Sequence, residues 1–212
     1  MVVPVLTRPE LLYRMLETVD AKVDHLIVID NGGCVDDFEC NDNEQIQRVS
    51  VIHMPANLGV AGSWNLGIKA APFAPWWLVC NFDITWPAGS LARFVSEARV
   101  CALLLSGGTP PWCAFAVGEE IVSRVGLFDE ALHPAYFEDD DYHARCYQAG
   151  LPVVRSDIPV HHDNSSTLAA GYQARNSVTF GANAAYYGGK ADRGDFSEGR
   201  WSLSRRRDLS WD

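Results

Sequence analysis

Val2-Val3-Pro4-Val5-Leu6, a helical stripe from Thr7 to Val19, then His25-Leu26-Ile27-Val28-Ile29-Asp30-Asn31-Gly32-Gly33: the opening of the chain decides the fold. The first run is apolar and predicts a buried strand. Pro9 suits a first helical turn, and Thr7 with Glu10 three residues on has capping-box spacing. Leu11, Leu12, Met15, Leu16 and Val19 share one helical stripe. The second apolar run closes on Asn31-Gly32-Gly33, a turn signal. Strand, helix, strand begins a parallel α/β sheet, and such sheets bind ligands beyond the carboxyl ends of their strands. Thr7 and Asp30 both fall there. Asp30 reads equally as an acceptor for a nucleobase or ribose and as an Asx turn closing the strand.

The same alternation continues. Residues 34–48 are polar and irregular, and Val49 to Met54 predicts a third strand. Asn57-Leu58-Gly59-Val60-Ala61-Gly62-Ser63-Trp64-Asn65-Leu66-Gly67 opens a helix with three glycines. Glycine lets a ligand approach backbone amides closely, and at Gly67 it reads as well as tight helix-on-sheet packing. The spacing is neither a dinucleotide fingerprint nor a Walker lysine loop. Trp76-Trp77-Leu78-Val79-Cys80-Asn81-Phe82-Asp83 is a buried strand with a polar end. An acid at that edge is where a divalent cation on a diphosphate is held; the plainer reading is a turn before Trp86-Pro87. A helix with Leu91, Phe94, Val95 and Ala98 follows, then strands at Cys101–Leu105 and Cys113–Val117, a helix at Glu119–Val125, a strand at Leu151–Val154 and a helix over 168–187. The expected architecture is one mostly parallel central sheet flanked by helices. Residues 1–190 form the domain, and 191–212 a Gly-, Ser- and charge-rich tail, read as a flap or interaction arm.

Glu138-Asp139-Asp140-Asp141 stands at the head of a predicted helix that Gly150 ends. The positive end of the helix dipole favours acids there. Asp141 and Arg145 are spaced to pair, while Tyr142, Cys146 and Ala149 form a face that docks on a core. Crowded carboxylates raise one another's pKa, which suits one of them to act as a general base. Further on, Val160-His161-His162 offers imidazoles for a metal alongside Asp83, or two exposed loop histidines.

The chain has 212 residues, 48% apolar, and a formal net charge of −10. That balance argues against gripping nucleic acid or anionic membrane as a main task. No apolar run approaches the ~20 residues of a membrane span. No basic leader precedes Val2, and six scattered cysteines without a CxxC pair read as free thiols in a reducing compartment, so a cytoplasmic location is expected.

In order, these motifs resemble the family-2 glycosyltransferases of the GT-A fold, the rhamnosyltransferase-like branch especially, from about Val2 to about Lys190. Val3 to Pro9 is similar to the family's first strand and turn, and Val28 to Gly33 to the strand end that holds the nucleobase. Asn57 to Gly67 is similar to its Asn-Leu-Gly segment. Asn81-Phe82-Asp83 stands where the family carries Asp-x-Asp, with one acid replaced. Gly126-Leu127-Phe128-Asp129-Glu130 and Phe137 to Asp141 resemble the acceptor-side loop and catalytic acids, and Val160-His161-His162 stands where some members supply a metal-binding histidine.

The resemblance implies an inverting, hexosyltransferase-type enzyme that moves a sugar from a nucleotide-diphosphate-sugar to an acceptor hydroxyl. Asp139 is the implied general base, with Glu138 as its pair and Asp141 as runner-up. Asp83 and His161 are the implied ligands of Mn²⁺ or Mg²⁺. Thr7 and Asp30 would hold base and ribose, and Asn57, Gly59, Gly62 and Asn81 would complete the nucleotide side. Trp112 reads either as a sugar platform or as core. The acceptor stays open between a glycan, a protein side chain and a hydroxymethylated DNA base. A nucleotidyltransferase would show a basic glycine-rich loop after the first strand, which Thr7-Arg8-Pro9-Glu10 is not. The alternative that remains is a non-catalytic sugar-nucleotide or glycan-binding module.

Overall fold

The computed structural model describes residues 1–38, 43–163, 173–197 and 202–203. In chain order the elements are β1 Val2–Val5, α1 Pro9–Glu17, β2 Leu26–Asp30, β3 Val49–His53, α2 Gly59–Ala70, β4 Trp76–Cys80, β5 Ile84–Thr85, α3 Ser90–Glu97, β6 Leu103–Leu105, a 3-10 turn Pro111–Cys113, β7 Ala114–Gly118, α4 Glu119–Val125, α5 Glu138–Gln148, β8 Val153–Arg155, β9 His161–His162 and α6 Gln173–Arg193. Seven strands form one sheet in the order β3-β2-β1-β4-β7-β6-β8, and β5 pairs with β9 in a separate ribbon. Only β7 runs against the others in the large sheet. The expected mostly parallel α/β sheet is therefore what the chain forms. Among the described residues no helix is long and apolar enough to cross a membrane.

Period-two alternation divides the strand side chains between two cores. Val3, Val5, Leu78 and Cys80 face α1 and α3, packing on Leu12, Met15, Leu91 and Phe94. Val2, Trp77, Val79 and Phe115 face the other way, against Trp64 and Ile68 of α2, Val122 of α4 and Tyr142 of α5. Both faces of the sheet are covered, which explains why its strands read as unbroken apolar runs.

Several local expectations shift. Thr7 does not cap α1. Arg8 intervenes in a left-handed conformation, φ 56°, and pairs instead with Glu10 at 3.0 Å. That extra residue turns the Thr7 hydroxyl inward, where it is shielded from solvent without a hydrogen-bond partner. His161 and His162 lie in a strand, not in a loop. Gly188 and Gly189, just past the helix expected over 168–187, lie inside α6, which runs on to Arg193. The expected boundary at 190 thus falls within a helix, and the buried ring of Phe196 continues the packing beyond it. Residues 168–172, Cys40, Trp201, Arg205-Arg206-Arg207 and Trp211 lie outside the described residues. Cys34, Cys80, Cys101, Cys113 and Cys146 are free.

Gly67 brings α2 onto β1. A Cβ there would stand 2.2 Å from Val2 Cγ1 and 2.9 Å from Val2 Cβ. Val2 is fully buried in a central strand and has no flexible end to move aside. Gly67→Ala gains up to about 1 kcal/mol of helix propensity, but overpacking of this kind costs about 1–3 kcal/mol. The clash should win, so a urea melt of the variant should show a lower midpoint. A midpoint equal to or above the parent's would contradict this packing.

Candidate active site

Because six strands of the sheet are parallel, their carboxyl ends share one edge with the start of the reversed β7. Asp83 stands just beyond β4, and the β5–β9 ribbon carries the chain after β8 back to it. The ribbon pairs Ile84 with His162 and Thr85 with His161, and the Asp163 amide donates to the Asp83 carbonyl at 3.0 Å. Neighbours on a strand project to opposite sides. His162 turns inward and His161 is exposed, so it is His162, not the expected His161, that meets Asp83. His162 Nε2 lies 3.1 Å from Asp83 Oδ1 and 3.3 Å from Asn81 Nδ2, and both side chains of the ion pair are 6% exposed. Burial opposes a charged imidazole, but the hydrogen bond to Asp83 and its charge more than offset this, so the His162 pKa is raised.

This donor set bears on a divalent cation. His162 Nδ1 faces the Thr109 carbonyl at 3.4 Å. In this arrangement the Nε2 proton goes to Asp83. A cation between the two would replace that proton, and the Nδ1 proton turned to the Thr109 carbonyl would then fix the ring, as the partner of a metal-bound imidazole does. One carboxylate and one imidazole fit Mn²⁺ or Mg²⁺ only with a diphosphate and water completing the shell. No group of three His, Cys, Asp or Glu side chains suited to a metal occurs among the described residues.

On the nucleotide side, Asp30 ends β2 fully buried. Its Oδ1 accepts from the Gly32 and Cys34 amides at 3.2 and 3.1 Å. Its Oδ2 accepts from the Val35 amide at 3.3 Å and meets His53 Nδ1 at 2.9 Å. Burial works against ionisation, but these hydrogen bonds prevail and hold its pKa down. The carboxylate thus shapes the loop that closes this edge. Asn31 ties β2 to α2, accepting from the Leu58 amide at 3.0 Å and donating to Ser63 Oγ at 2.8 Å. The α2 amides are engaged as well. Gly59 N donates to Asn57 Oδ1 at 2.8 Å and Val60 N to the Pro134 carbonyl at 2.7 Å. Gly59 has φ +73°, and a Cβ there would meet that carbonyl at 2.7 Å. Gly62 abuts Leu58, with 3.2 Å left for a Cβ. In this arrangement Asn57 and Gly59 seat the loop around Pro134, and Gly62 packs against Leu58.

That loop leads to the acids. Since α2 leaves the carboxyl end of β3, the contact with Pro134 sets the loop over the same edge. From there α5 runs back to β8, so its first turn faces the edge that carries Asp83. Tyr136 and Phe137 precede it with φ of 79° and 72°. Bulky residues in that region cost about 1–3 kcal/mol each and persist only when their surroundings hold them. Glu138 is 6% exposed, and its Oε2 is buried without a hydrogen-bond partner. Burial, with the charges of Asp139 and Asp140, pushes its pKa up to about 8. Asp139 is partly exposed, and burial together with Asp140 raises it too. Asp141 is committed elsewhere: fully buried, it pairs with Arg145 at 2.9 Å and with Lys190.

Four further residues hold this turn in place, of which the sequence reading assigns roles to Tyr142 and Arg145 and passes over Asn65 and Lys190. Asn65, buried in α2, accepts from the Phe128 amide at 2.8 Å and donates to the Phe128 carbonyl at 2.9 Å and to Glu130 Oε1 at 2.8 Å. Tyr142 donates to the Gly126 carbonyl at 2.9 Å and stacks on Phe128 at 4.0 Å. Arg145 donates to the Val125 and Leu127 carbonyls at 3.0 and 2.8 Å. Lys190 reaches Asp129 at 2.9 Å. The helical spacing of Asp141, Tyr142 and Arg145 signalled part of this clamp; Lys190, 61 residues from Asp129, gave no signal. Trp112 packs edge-on against Phe115 at 4.9 Å and belongs to the core, not to an open platform.

Residues 1–108 match the family model for glycosyl transferase family 2. A curated relative, the galactofuranosyl glycosyltransferase of Leishmania donovani, is 24% identical over 66% of this chain, which spans 49% of that protein. Among solved structures, the Pyrobaculum calidifontis mannosyltransferase PcManGT in complex with GDP-Man and Mn²⁺ superposes with a TM-score of 0.61 at 14% identity. It covers 90% of this chain and 63% of its own. GalNAc-T7 with UDP, GalNAc and Mn²⁺ gives 0.60 at 10% identity, over 76% and 42%. TarS of S. aureus gives 0.54 at 15% identity, over 74% and 34%. These likenesses establish the GT-A fold.

Glu138 couples folding to pH. Its folded pKa of about 8 lies above the ordinary 4.5, so between those values the folded chain binds more protons than the unfolded one. The contribution is therefore fully present below about pH 4.5 and is lost as pH rises through about 8. The Glu138→Gln variant lacks this titration. Urea melts from pH 5 to pH 8 should show the parent losing stability relative to the variant across the range. A constant difference between the two would contradict the buried, proton-holding Glu138.

Proposed function

The chain belongs to glycosyl transferase family 2, and from that premise we propose that it transfers a sugar from a nucleoside-diphosphate carrier to an acceptor hydroxyl, with inversion at the anomeric carbon. The observation that carries the reading is the buried Asp83–His162 pair at the carboxyl end of the parallel strands, the end at which α5 begins its run back to β8. Two similar structures hold a nucleotide or nucleotide-sugar with Mn²⁺, which supports a donor of that class here.

Asp83 and His162 would hold Mn²⁺ or Mg²⁺. The chemistry a bound cation supplies is neutralisation of the charge that builds on the leaving diphosphate, worth several kcal/mol in such roles. Asp139 takes the proton of the acceptor hydroxyl as it attacks. Its raised pKa brings it nearer the working pH, as general-base catalysis favours. Glu138 stays protonated at neutral pH, so Asp139 does not share the turn with a second ionised carboxylate from that residue. Asp30, through the loop it organises, and Thr7, with its unpartnered hydroxyl, flank the place of the base and ribose. Asn81 steadies His162 through its amide.

One observation favours a second reading. A single acid in Asn81-Phe82-Asp83 is a reduced metal site, as a binding module that has lost turnover would have. Nucleoside diphosphate release separates the two. Purified protein is given GDP-mannose, UDP-N-acetylglucosamine and UDP-galactose, each with Mn²⁺, Mg²⁺ or chelator. Transfer predicts metal-dependent release from one of them; binding without release from any favours the module. General-base catalysis contributes about 10²–10⁴-fold, so Asp139→Asn should lose about that much turnover while binding donor as the parent does. Asp83→Ala and His162→Ala should each lose the response to metal, and His161→Ala should keep it. Parent-like turnover in Asp139→Asn would remove Asp139 from the role of base, and a retained metal response in Asp83→Ala would remove the metal assignment.

A further inference from the structure

We propose that α6 aims the candidate base, with Asn183 and Lys190 as positioning residues for Asp139. The family match ends at residue 108, well before this helix. Phe180, Asn183, Tyr187 and Lys190 recur at steps of three, four and three, so they share one helix face. That face runs along the chain from Asp129 to Asp141. Asn183 is 4% exposed, and its Nδ2 donates at 2.8 Å to the Ala135 carbonyl, immediately before the two left-handed residues. The ring of Phe180 lies 5.2 Å from Tyr136 and 5.1 Å from Phe137, and Tyr187 stacks on Phe137 at 5.5 Å. Lys190, fully buried, joins Asp129 before this elbow to Asp141 after it.

One helix therefore holds the segment at both ends and in the middle. Two adjacent aromatics with φ of 79° and 72° would relax toward ordinary backbone without such restraint. Relaxation there would swing the first turn of α5, which begins at the next residue and carries Asp139. Asn183 and Lys190 act through this elbow and touch no reacting atom.

The proposal rests on Asp139 being the base, so Asp139→Asn is assayed alongside. Asn183→Leu removes the donor at near-constant volume, and Lys190→Met removes the charge. Calorimetry first establishes that each variant is folded at the assay temperature. Kinetics then use whichever donor in the panel above the parent turns over. A misplacement of about 1 Å costs on the order of a hundredfold in rate, so kcat should fall by at least about tenfold while KM for the donor stays within about twofold. Lys190→Arg should recover part of the loss. If Lys190→Met does not fold, Asn183→Leu alone decides. A folded Asn183→Leu with parental kcat, beside an inactive Asp139→Asn, overturns the positioning role and leaves the base intact. An active Asp139→Asn, or a parent that turns over no donor, overturns the base assignment and this proposal with it.

Discussion

Strand direction is the constraint on which the rest depends. In the order β3-β2-β1-β4-β7-β6-β8, every strand but one points the same way. The ends that follow Val5, Asp30, His53, Cys80, Leu105 and Arg155 must then gather on one edge. Residues placed there are gathered to one edge however far apart they lie in the chain, as Asp83 and His162 are at 79 positions. Asp83 and His162 meet at 3.1 Å because each lies a few residues past a parallel strand and a two-residue ribbon fixes their register.

A second constraint is electrostatic. Asp129, Asp141, Arg145 and Lys190 are all buried, two acids with two bases. A buried ion pair is a poor source of net stability, because desolvation takes back most of the attraction. It is demanding of geometry, however, since removing one partner strands the others in a medium that cannot solvate them. The cluster thus specifies how α5, α6 and the segment after α4 sit together. The same packing leaves Glu138 and Asp139 at the helix start short of compensating charge, and burial there raises both. Order in the cluster and basicity at the mouth have one physical origin.

Much of this was legible in the sequence, and the parts that were not share a cause. Strands buried on both faces announce themselves as apolar runs, so β2, β3 and β4 were readable to within a few residues, and α4 likewise between Gly118 and Gly126. The Asp141–Arg145 pair and the inward face of Tyr142 and Cys146 follow from helical spacing alone. What escaped reading depends on single-residue register or on distant partners. His161 and His162 are chemically equivalent on paper; only pairing with Ile84 and Thr85 decides which one turns inward. Thr7 has the spacing of a helix cap, but Arg8 takes that place. Gly188 and Gly189 are weak helix formers locally, yet the burial of Lys190 between two acids from elsewhere keeps the helix intact past them.

The central claim is that Asp83 and His162 hold the diphosphate end of a donor in the same cleft into which Asp139 opens. The most direct measurement is a crystal structure with Mn²⁺ and a nucleotide-sugar, with the metal located by its anomalous scattering. The account predicts one manganese peak coordinated by Asp83 and His162 Nε2, and the anomeric carbon of the sugar turned toward the Asp139 carboxylate. A manganese bound elsewhere, or a donor lying with Asp139 beyond reach of its sugar, would contradict it.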